Sequence, residues 1–236
     1  GSFWGYTFAG VWQEDDVNAP FVDANGQTNG KTNGEVYKVK PGNSKYVDVN
    51  KDGVYNDADQ GIIGCGQPTF NWGWNNTFNY KNFDFSFFVV GFHGFDIYNA
   101  THQMGYNLIK SQQMAGVTPM RELLNRWTPT NTNTDIPGFV KGGTENKDFF
   151  STRFVENGSF IKMKSITLGY TLPEATCRSL GINNLRVYAS VQNPFHITKY
   201  SGLDPEATMG SPLVQGVDWG AYPNSRNYLI GLNFSF

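Results

Sequence analysis

No run of about 18 apolar residues occurs anywhere in this chain of 236, so no helix of it can cross a bilayer. Charge is scarce too. Asp, Glu, Lys and Arg make up 16% of the residues, where a soluble domain usually carries about a quarter, and the net charge is −2. Such a balance leaves no electrostatic footprint for nucleic acid, and no nucleic-acid partner is expected. Cysteine is nearly absent. Cys65 and Cys177 lie far apart and make no disulfide framework, though they can pair or stand as free buried thiols. The histidines are His93, His102 and His196, none of them spaced with Ser, Cys or Glu for nucleophilic or metal chemistry. Neither Gly-x-Ser-x-Gly nor a phosphate-cradling glycine loop appears. No enzyme is expected, although a pair of glycosidase carboxylates would leave no trace in sequence alone. No secretory leader opens the chain, since Gly1-Ser-Phe-Trp4 already reads as folded sequence. An exported protein would therefore be present here as a mature piece or a fragment.

What is abundant is aromatic. Phe, Tyr and Trp together reach 16%. They fall in alternating order, and side chains of a strand point to opposite faces in turn. At the carboxyl end Tyr228, Ile230, Leu232, Phe234 and Phe236 share one face, opposite Leu229, Gly231, Asn233 and Ser235. In 69–80, Phe70, Trp72, Trp74, Phe78 and Tyr80 oppose Asn71, Gly73, Asn75, Thr77 and Asn79. Similar segments lie at 3–12, 83–92, 159–172, 184–193 and 226–236. In 159–172 the face of Phe160, Ile166, Leu168 and Tyr170 is interrupted by Lys162 and Lys164. Each segment has the length of a tilted membrane-crossing strand, about 10 residues. The negative mean hydropathy is compatible with this, because half of every barrel strand faces a wet lumen.

The connectors alternate strictly. Lys81-Asn82 is a tight turn and 173–183 a compact link, whereas 13–68, 93–158 and 194–225 are long and polar. Outer-membrane barrels have this pattern of short periplasmic turns and long outer loops. The fold class expected is all-β: an antiparallel transmembrane β-barrel segment of about six strands, with long extracellular loops containing short helices. Six strands cannot close a membrane barrel, whose smallest bacterial form has about eight. Unpaired edges in hydrocarbon would each cost several kcal/mol per backbone group. So 1–236 is expected to be part of a larger barrel. The alternative is a soluble Ca²⁺-dependent carbohydrate-binding β-sandwich. Trp72, Trp74, Tyr80 and Tyr228 are candidates for an interfacial girdle. Helical spacing is clearest over 120–127 and weaker over 98–114.

The first long connector carries Asp48-Val-Asn50-Lys-Asp52-Gly53-Val54-Tyr-Asn56-Asp-Ala-Asp59. Ca²⁺ takes six to eight oxygens in a flexible cage, and this D-x-[DN]-x-[DN]-G spacing curls Asp48, Asn50 and Asp52 around one point. The Val54 carbonyl, Asn56 and Asp59 would complete a structural Ca²⁺ site. Asp59 stands where Glu is usual and is one methylene shorter. The other reading is an Asx-rich turn without metal. In the last connector, Tyr200, Trp219 and Tyr222 beside Asp204, Glu206 and Asp218 would suit sugar stacking, but packing of the connectors on themselves is the simpler reading.

An ordered set of motifs running from end to end resembles the carboxyl-terminal part of SusC/RagA-like TonB-linked outer-membrane proteins of Bacteroidota. The set comprises Gly1 to Trp12, Asp48 to Gly53 leading to Ile62-Ile-Gly64, and Pro68-Thr-Phe-Asn-Trp-Gly73. It continues with Arg126-Trp-Thr-Pro129, Arg153 to Ser159, Ile166-Thr-Leu-Gly-Tyr-Thr-Leu-Pro173, Leu185-Arg-Val-Tyr188, Gln192-Asn193 and Tyr200-Ser-Gly-Leu-Asp-Pro205. Cys65-Gly66 departs from the small polar linker expected there. The resemblance implies a barrel of about 22 strands, the size of plugged outer-membrane transporters. It also implies an amino-terminal plug absent from this chain, import of oligosaccharides or peptides, a SusD-like lipoprotein lid and energy through TonB. The expected place is the outer membrane of a Gram-negative cell.

Overall fold

The computed structural model describes residues 1–106, 119–139, 149–209 and 215–235. In chain order the strands are β1 (Ser2–Tyr6), β2 (Phe8–Val11), β3 (Pro20–Val22), β4 (Thr28–Thr32), β5 (Ser44–Tyr46), β6 (Gln60–Cys65) and β7 (Phe70–Tyr80). There follow β8 (Phe83–His93), β9 (Asp96–Asn99), β10 (Val155–Asn157), β11 (Phe160–Thr171), β12 (Asn184–Thr198), β13 (Val217–Asp218) and β14 (Asn227–Ser235). The helices α1 (Glu14–Asn18), α2 (Asn33–Tyr37), α3 (Ala100–Tyr106) and α4 (Glu174–Ser179) are short, and among the described residues none can cross a membrane. The chain divides into two compact units. One holds Gly1–Cys65, Tyr98–Val155 and Val217–Gly220; the other holds Gly66–Ile97, Glu156–Gly216 and Ala221–Phe236.

The second unit is built on a five-stranded sheet in the order β14-β12-β11-β8-β7, every pair antiparallel. The turn at Lys81-Asn82 is tight because Lys81 takes a left-handed φ of 53°. Asn82 then donates from Nδ2 to the Thr171 carbonyl at 2.7 Å. The link from β11 to β12 folds as α4. Both connections and the Asn184↔Ser235 pair lie at the same end of the sheet, so the long connectors all leave from the opposite end. The alternation of connectors seen in sequence is thus a property of the sheet.

Expectation and structure differ at three places. Residues 3–12 do not join this sheet. They break at Thr7, whose carbonyl accepts from the Val47 amide at 2.9 Å, into β1, paired with β6, and β2, paired with β5. The large sheet therefore has five strands here, not about six. Residues 159–172 do not keep one alternation either. Lys164 is an extra residue between Met163↔Val89 and Ser165↔Phe88, a β-bulge that reverses the faces. Phe160 and Lys162 lie on the side of Ser165, Thr167 and Gly169, and Ile166, Leu168 and Tyr170 lie on the other. The strand expected at 184–193 runs on to Thr198. Pro194 is tolerated because it sits in a second irregularity, where Asn193 has a φ of +50° and Lys164 faces two residues.

Of the helical expectations, 120–127 is a 3-10 turn over Arg121–Asn125, and α3 covers part of 98–114, whose residues 107–114 lie outside those described. Cys65 and Cys177 are both free. Phe3, Tyr98, Ala100 and Phe154 form a core in the first unit; Val90, Phe95, Ile97, Phe160 and Tyr200 form one in the second.

Candidate functional site

Register sorts the sheet into two chemically distinct faces. On the first stand Phe70, Trp72, Trp74, Phe78 and Tyr80 of β7, Phe83, Phe85 and Phe87 of β8, Ile166 and Leu168 of β11, Val187, Ala189 and Val191 of β12, and Tyr228, Ile230, Leu232 and Phe234 of β14. Much of this row is bare: Ile230 is 86% exposed and Trp74 is 54% exposed. A contiguous apolar face of this size is foreign to the surface of a water-soluble monomer. Phe236 lies outside the described residues. On the second face stand Asn71, Asn75, Thr77, Asn79, Asp84, Ser86, Thr167, Gly169, Arg186, Tyr188, Ser190, Gln192 and Asn233, with Phe88, Val90, Phe92 and Leu229 among them.

That polar face carries its own ion pair. Arg186 donates to Asp84 through Nε (2.8 Å) and Nη2 (2.5 Å), a two-pronged contact reaching from β12 across β11 to β8. Gly169 lies between them, and a β-carbon there would collide with both the carboxylate and the guanidinium. Beside it the Tyr188 ring covers Gly231 and lies 4.9 Å from the Arg186 guanidinium. The two glycines let long polar side chains lie flat along the wall.

Toward the long-connector end the same face holds a buried charge cluster. The Lys162 ammonium donates to Asp204 Oδ2 at 2.8 Å and to Glu206 Oε2 at 2.7 Å, and Lys164 pairs with Glu206. Asn224 adds its backbone amide and Nδ2 to Asp204 Oδ2 at 3.1 and 3.2 Å. Burial raises the pKa of Asp204, but the Lys162 ammonium and the amides of Asn224 and Glu206 outweigh it and hold the carboxyl below its ordinary range. In sequence these lysines are visible only as an interruption of a greasy face.

In the first unit the 48–59 loop folds around its own polar groups. Thr32 and Glu35 cap α2 reciprocally, and the helix delivers the Tyr37 hydroxyl to Asp48 Oδ2 at 2.8 Å. Burial and the Asp48 carboxylate raise the pKa of Tyr37, and burial pushes Tyr55 up to about 12. Asp48 Oδ2 also accepts from the Gly53 amide at 2.8 Å. The Asp52 amide donates to Asn50 Oδ1 at 3.1 Å, the Val54 amide to Asp52 Oδ1 at 2.8 Å and the Ala58 amide to Asn56 Oδ1 at 2.8 Å. Asp59 is buried, with Oδ1 accepting from Val49 (2.8 Å) and Oδ2 from Asn56 (3.0 Å). The amide groups of Asn50 and Asn56 both turn to Asp52 Oδ2, at 2.9 and 3.0 Å. All six sequence-predicted residues are thus brought into one loop. Among the described residues no three His, Cys, Asp or Glu gather as a metal-binding group. Asp48 Oδ1 is the exception to the loop's self-satisfaction, being buried without a hydrogen-bond partner.

Similarity to known proteins is clear. No protein-family model matches the chain. TonB-dependent receptor P3 of Formosa agariphila is 34% identical over 242 residues, covering 100% of this chain and 22% of the relative. TonB-dependent receptor SusC of Bacteroides thetaiotaomicron is 32% identical over 199 residues, covering 84% of this chain and 18% of the relative. The chain belongs to the TonB-dependent receptors. It spans about a fifth of the length of these receptors. Their names are those of receptors, not enzymes, in accord with the missing catalytic constellations. Among solved structures, that of the RagAB peptide transporter has a TM-score of 0.71 at 24% identity, over 100% of this chain and 22% of that one. The RagAB peptide importer in its 'closed-closed' state gives 0.70 at 25% identity, over 100% and 23%. The receptor fold is therefore shared throughout the chain.

Proposed function

We propose that the chain is the carboxyl-terminal part of an outer-membrane importer of oligosaccharides or peptides, driven through TonB and covered by a SusD-like lipoprotein. The rest of the same barrel would continue its sheet. The observation that carries this is the two-faced sheet, with bare aromatic and aliphatic side chains on one side and Asn, Ser, Thr, Asp and Arg on the other. Lipid satisfies the first face and water the second. A soluble sandwich would bury the apolar rows against a second sheet, and no such sheet covers them among the described residues. The test uses the complete receptor in its own membrane. A strain lacking it should lose uptake of fluorescein-labelled maltoheptaose or of a labelled casein digest, and a protonophore should stop uptake in the parent strain. Unchanged uptake of both in the deleted strain would sink the importer reading. Location has its own test: bilayers with brominated acyl chains should quench tryptophan fluorescence, and Trp74→Phe should reduce that quenching. Absence of quenching would exclude the lipid-facing assignment.

We also propose that the 48–59 loop holds a structural Ca²⁺ through Asp48, Asn50, Asp52, the Val54 carbonyl, Asn56 and Asp59. The spacing and the unpartnered Asp48 Oδ1 support this. Calorimetric titration of the intact receptor with CaCl₂ should give a binding heat that Asp48→Ala and Asp52→Ala abolish. Undiminished binding in both variants removes the site.

A further inference from the structure

One oxygen of the 48–59 loop is left idle. Asn50 Oδ1, Asn56 Oδ1 and both carboxylate oxygens of Asp52 and of Asp59 each accept from an amide group of the loop itself. Asp48 Oδ1 accepts from none, although it is buried. A charged acceptor that is buried and unanswered is destabilising, and in a native fold such an atom marks a place for an ion or a water. The groups around it already converge. The amides of Asn50 and Asn56 turn to Asp52 Oδ2, and Asn56 Nδ2 also reaches the Val54 carbonyl at 3.3 Å. Four of the six proposed ligands thus meet one another.

The other oxygen of Asp48 is held by two donors. Oδ2 accepts from the Gly53 amide and from the Tyr37 hydroxyl, each at 2.8 Å. A carboxylate held in this way cannot turn without giving up both bonds, so the direction of Oδ1 is set. The Tyr37 hydroxyl is itself fixed in place. Its ring packs against those of Trp12, Phe21 and Tyr55, with centroids 5.4, 5.7 and 5.2 Å away. The residue before it, Val36, fills the space at Gly53, where a β-carbon would come within 2.3 Å of a Val36 methyl. So α2 meets the loop at two successive residues. Both ends of α2 are fixed as well, by the Thr32–Glu35 cap and by Lys38 at a left-handed φ of 54°. The ring contacts would be served equally by Phe. What a hydroxyl adds at this position is its bond to Asp48.

We propose that Tyr37 is a positioning residue for Ca²⁺, its hydroxyl holding Asp48 Oδ2 so that Oδ1 is presented to the ion. The proposal rests on the Ca²⁺ reading of this loop. A group that bonds a metal ligand without touching the metal fixes that ligand's orientation before the ion arrives, and its loss costs about 10- to 100-fold in affinity. Tyr37 supplies this from outside the motif, 11 residues before Asp48, where no ligand spacing would reveal it.

The experiment uses the intact receptor, titrated with CaCl₂ in a calorimeter; the heat that Asp48→Ala abolishes is the heat of this site. Tyr37→Phe keeps the ring and removes only the hydroxyl. Its dissociation constant for the site should rise about tenfold or more. Tb³⁺ bound in place of Ca²⁺ gives a second readout, because its luminescence decay in H₂O and in D₂O counts the waters on the ion. At the Asp48-dependent site of Tyr37→Phe that count should rise by about one, as water fills the position that Asp48 leaves. A side chain that only packs would lower the melting temperature in EDTA and leave the affinity and hydration of the bound ion unchanged. Either readout at its wild-type value in Tyr37→Phe overturns the proposal. Should that variant fail to assemble, replacement of Tyr37 by 4-fluorophenylalanine, which fills the space of the hydroxyl but cannot donate, decides. Failure of both to assemble makes the role of Tyr37 structural and overturns the proposal too. A wild-type receptor without Asp48-dependent heat is a different result: it removes the Ca²⁺ site itself, and the role of Tyr37 with it.

Discussion

Ile230 separates the two solvents of this chain at the level of a single side chain. It is almost wholly bare, and its strand neighbours Leu229 and Gly231 point to the polar face. Ile230→Lys should destabilise the refolded receptor by about 2–4 kcal/mol if the site lies near the bilayer midplane, and by about 0–1 near the interface. Urea unfolding in lipid vesicles measures this, and an unchanged midpoint would remove Ile230 from the lipid face. Gly169 makes a second residue-scale case. Its missing β-carbon leaves the space in which Asp84 and Arg186 meet, so Gly169→Val should separate the pair and cost more than the loss of either partner's surface charge. A double-mutant cycle on Asp84→Asn and Arg186→Gln gives a coupling near zero in the Gly169→Val background if this is right. Asp204 supplies a pH prediction. Its pKa is lowered in the fold, so its contribution is fully present above the unfolded value of about 3.9 and is lost as pH falls through the lower folded value. Protection of the connector from an acid-active protease should therefore persist at pH 4 and fail further down, and Asp204→Asn should abolish that dependence.

Elements are where sequence reading succeeded and where it stopped. Period-two patterns in 69–80 and 226–236 hold without interruption, and those faces were legible residue by residue. Segment 159–172 was legible as a strand but not in its faces, because one added residue reverses parity and nothing in a period count marks where it is added. Lys162 and Lys164 were the visible symptom. Their partners Asp204 and Glu206 lie about 40 residues on, joined only by tertiary contact. Residues 3–12 look like one strand, but their two halves pair with different partners, β6 and β5, and such pairing is non-local. The 48–59 segment was legible as one local loop, since its bonds run within a dozen residues; the Ca²⁺ read from its spacing stays a proposal. Deleting Lys164 tests the bulge: Met163↔Val89 and Ser165↔Phe88 become consecutive pairs, so Lys162 should stay on the polar face with Ser165 and heat-modifiable receptor should still accumulate in the membrane. Loss of assembly in that deletion would mean that Lys164 is not simply an extra residue in the ladder.

For the molecule as a whole, the two units meet different demands. The first packs aromatic against aromatic around Tyr6, Tyr46 and Phe149, with ring centroids 4.4 to 5.8 Å apart. The second is a sheet whose margins, Phe70–Tyr80 and Asn227–Ser235, have no further strand beside them among the described residues. A row of unanswered amides and carbonyls along each rim is a template for pairing with another chain. Released into water without detergent, copies of this polypeptide should zip rim to rim and lay their greasy sides together, growing into thioflavin-positive fibres rather than remaining monomers. The receptor's growing wall and such a filament draw on one and the same bonding capacity; what differs is whether the next ribbon to arrive is its own neighbour or a stranger.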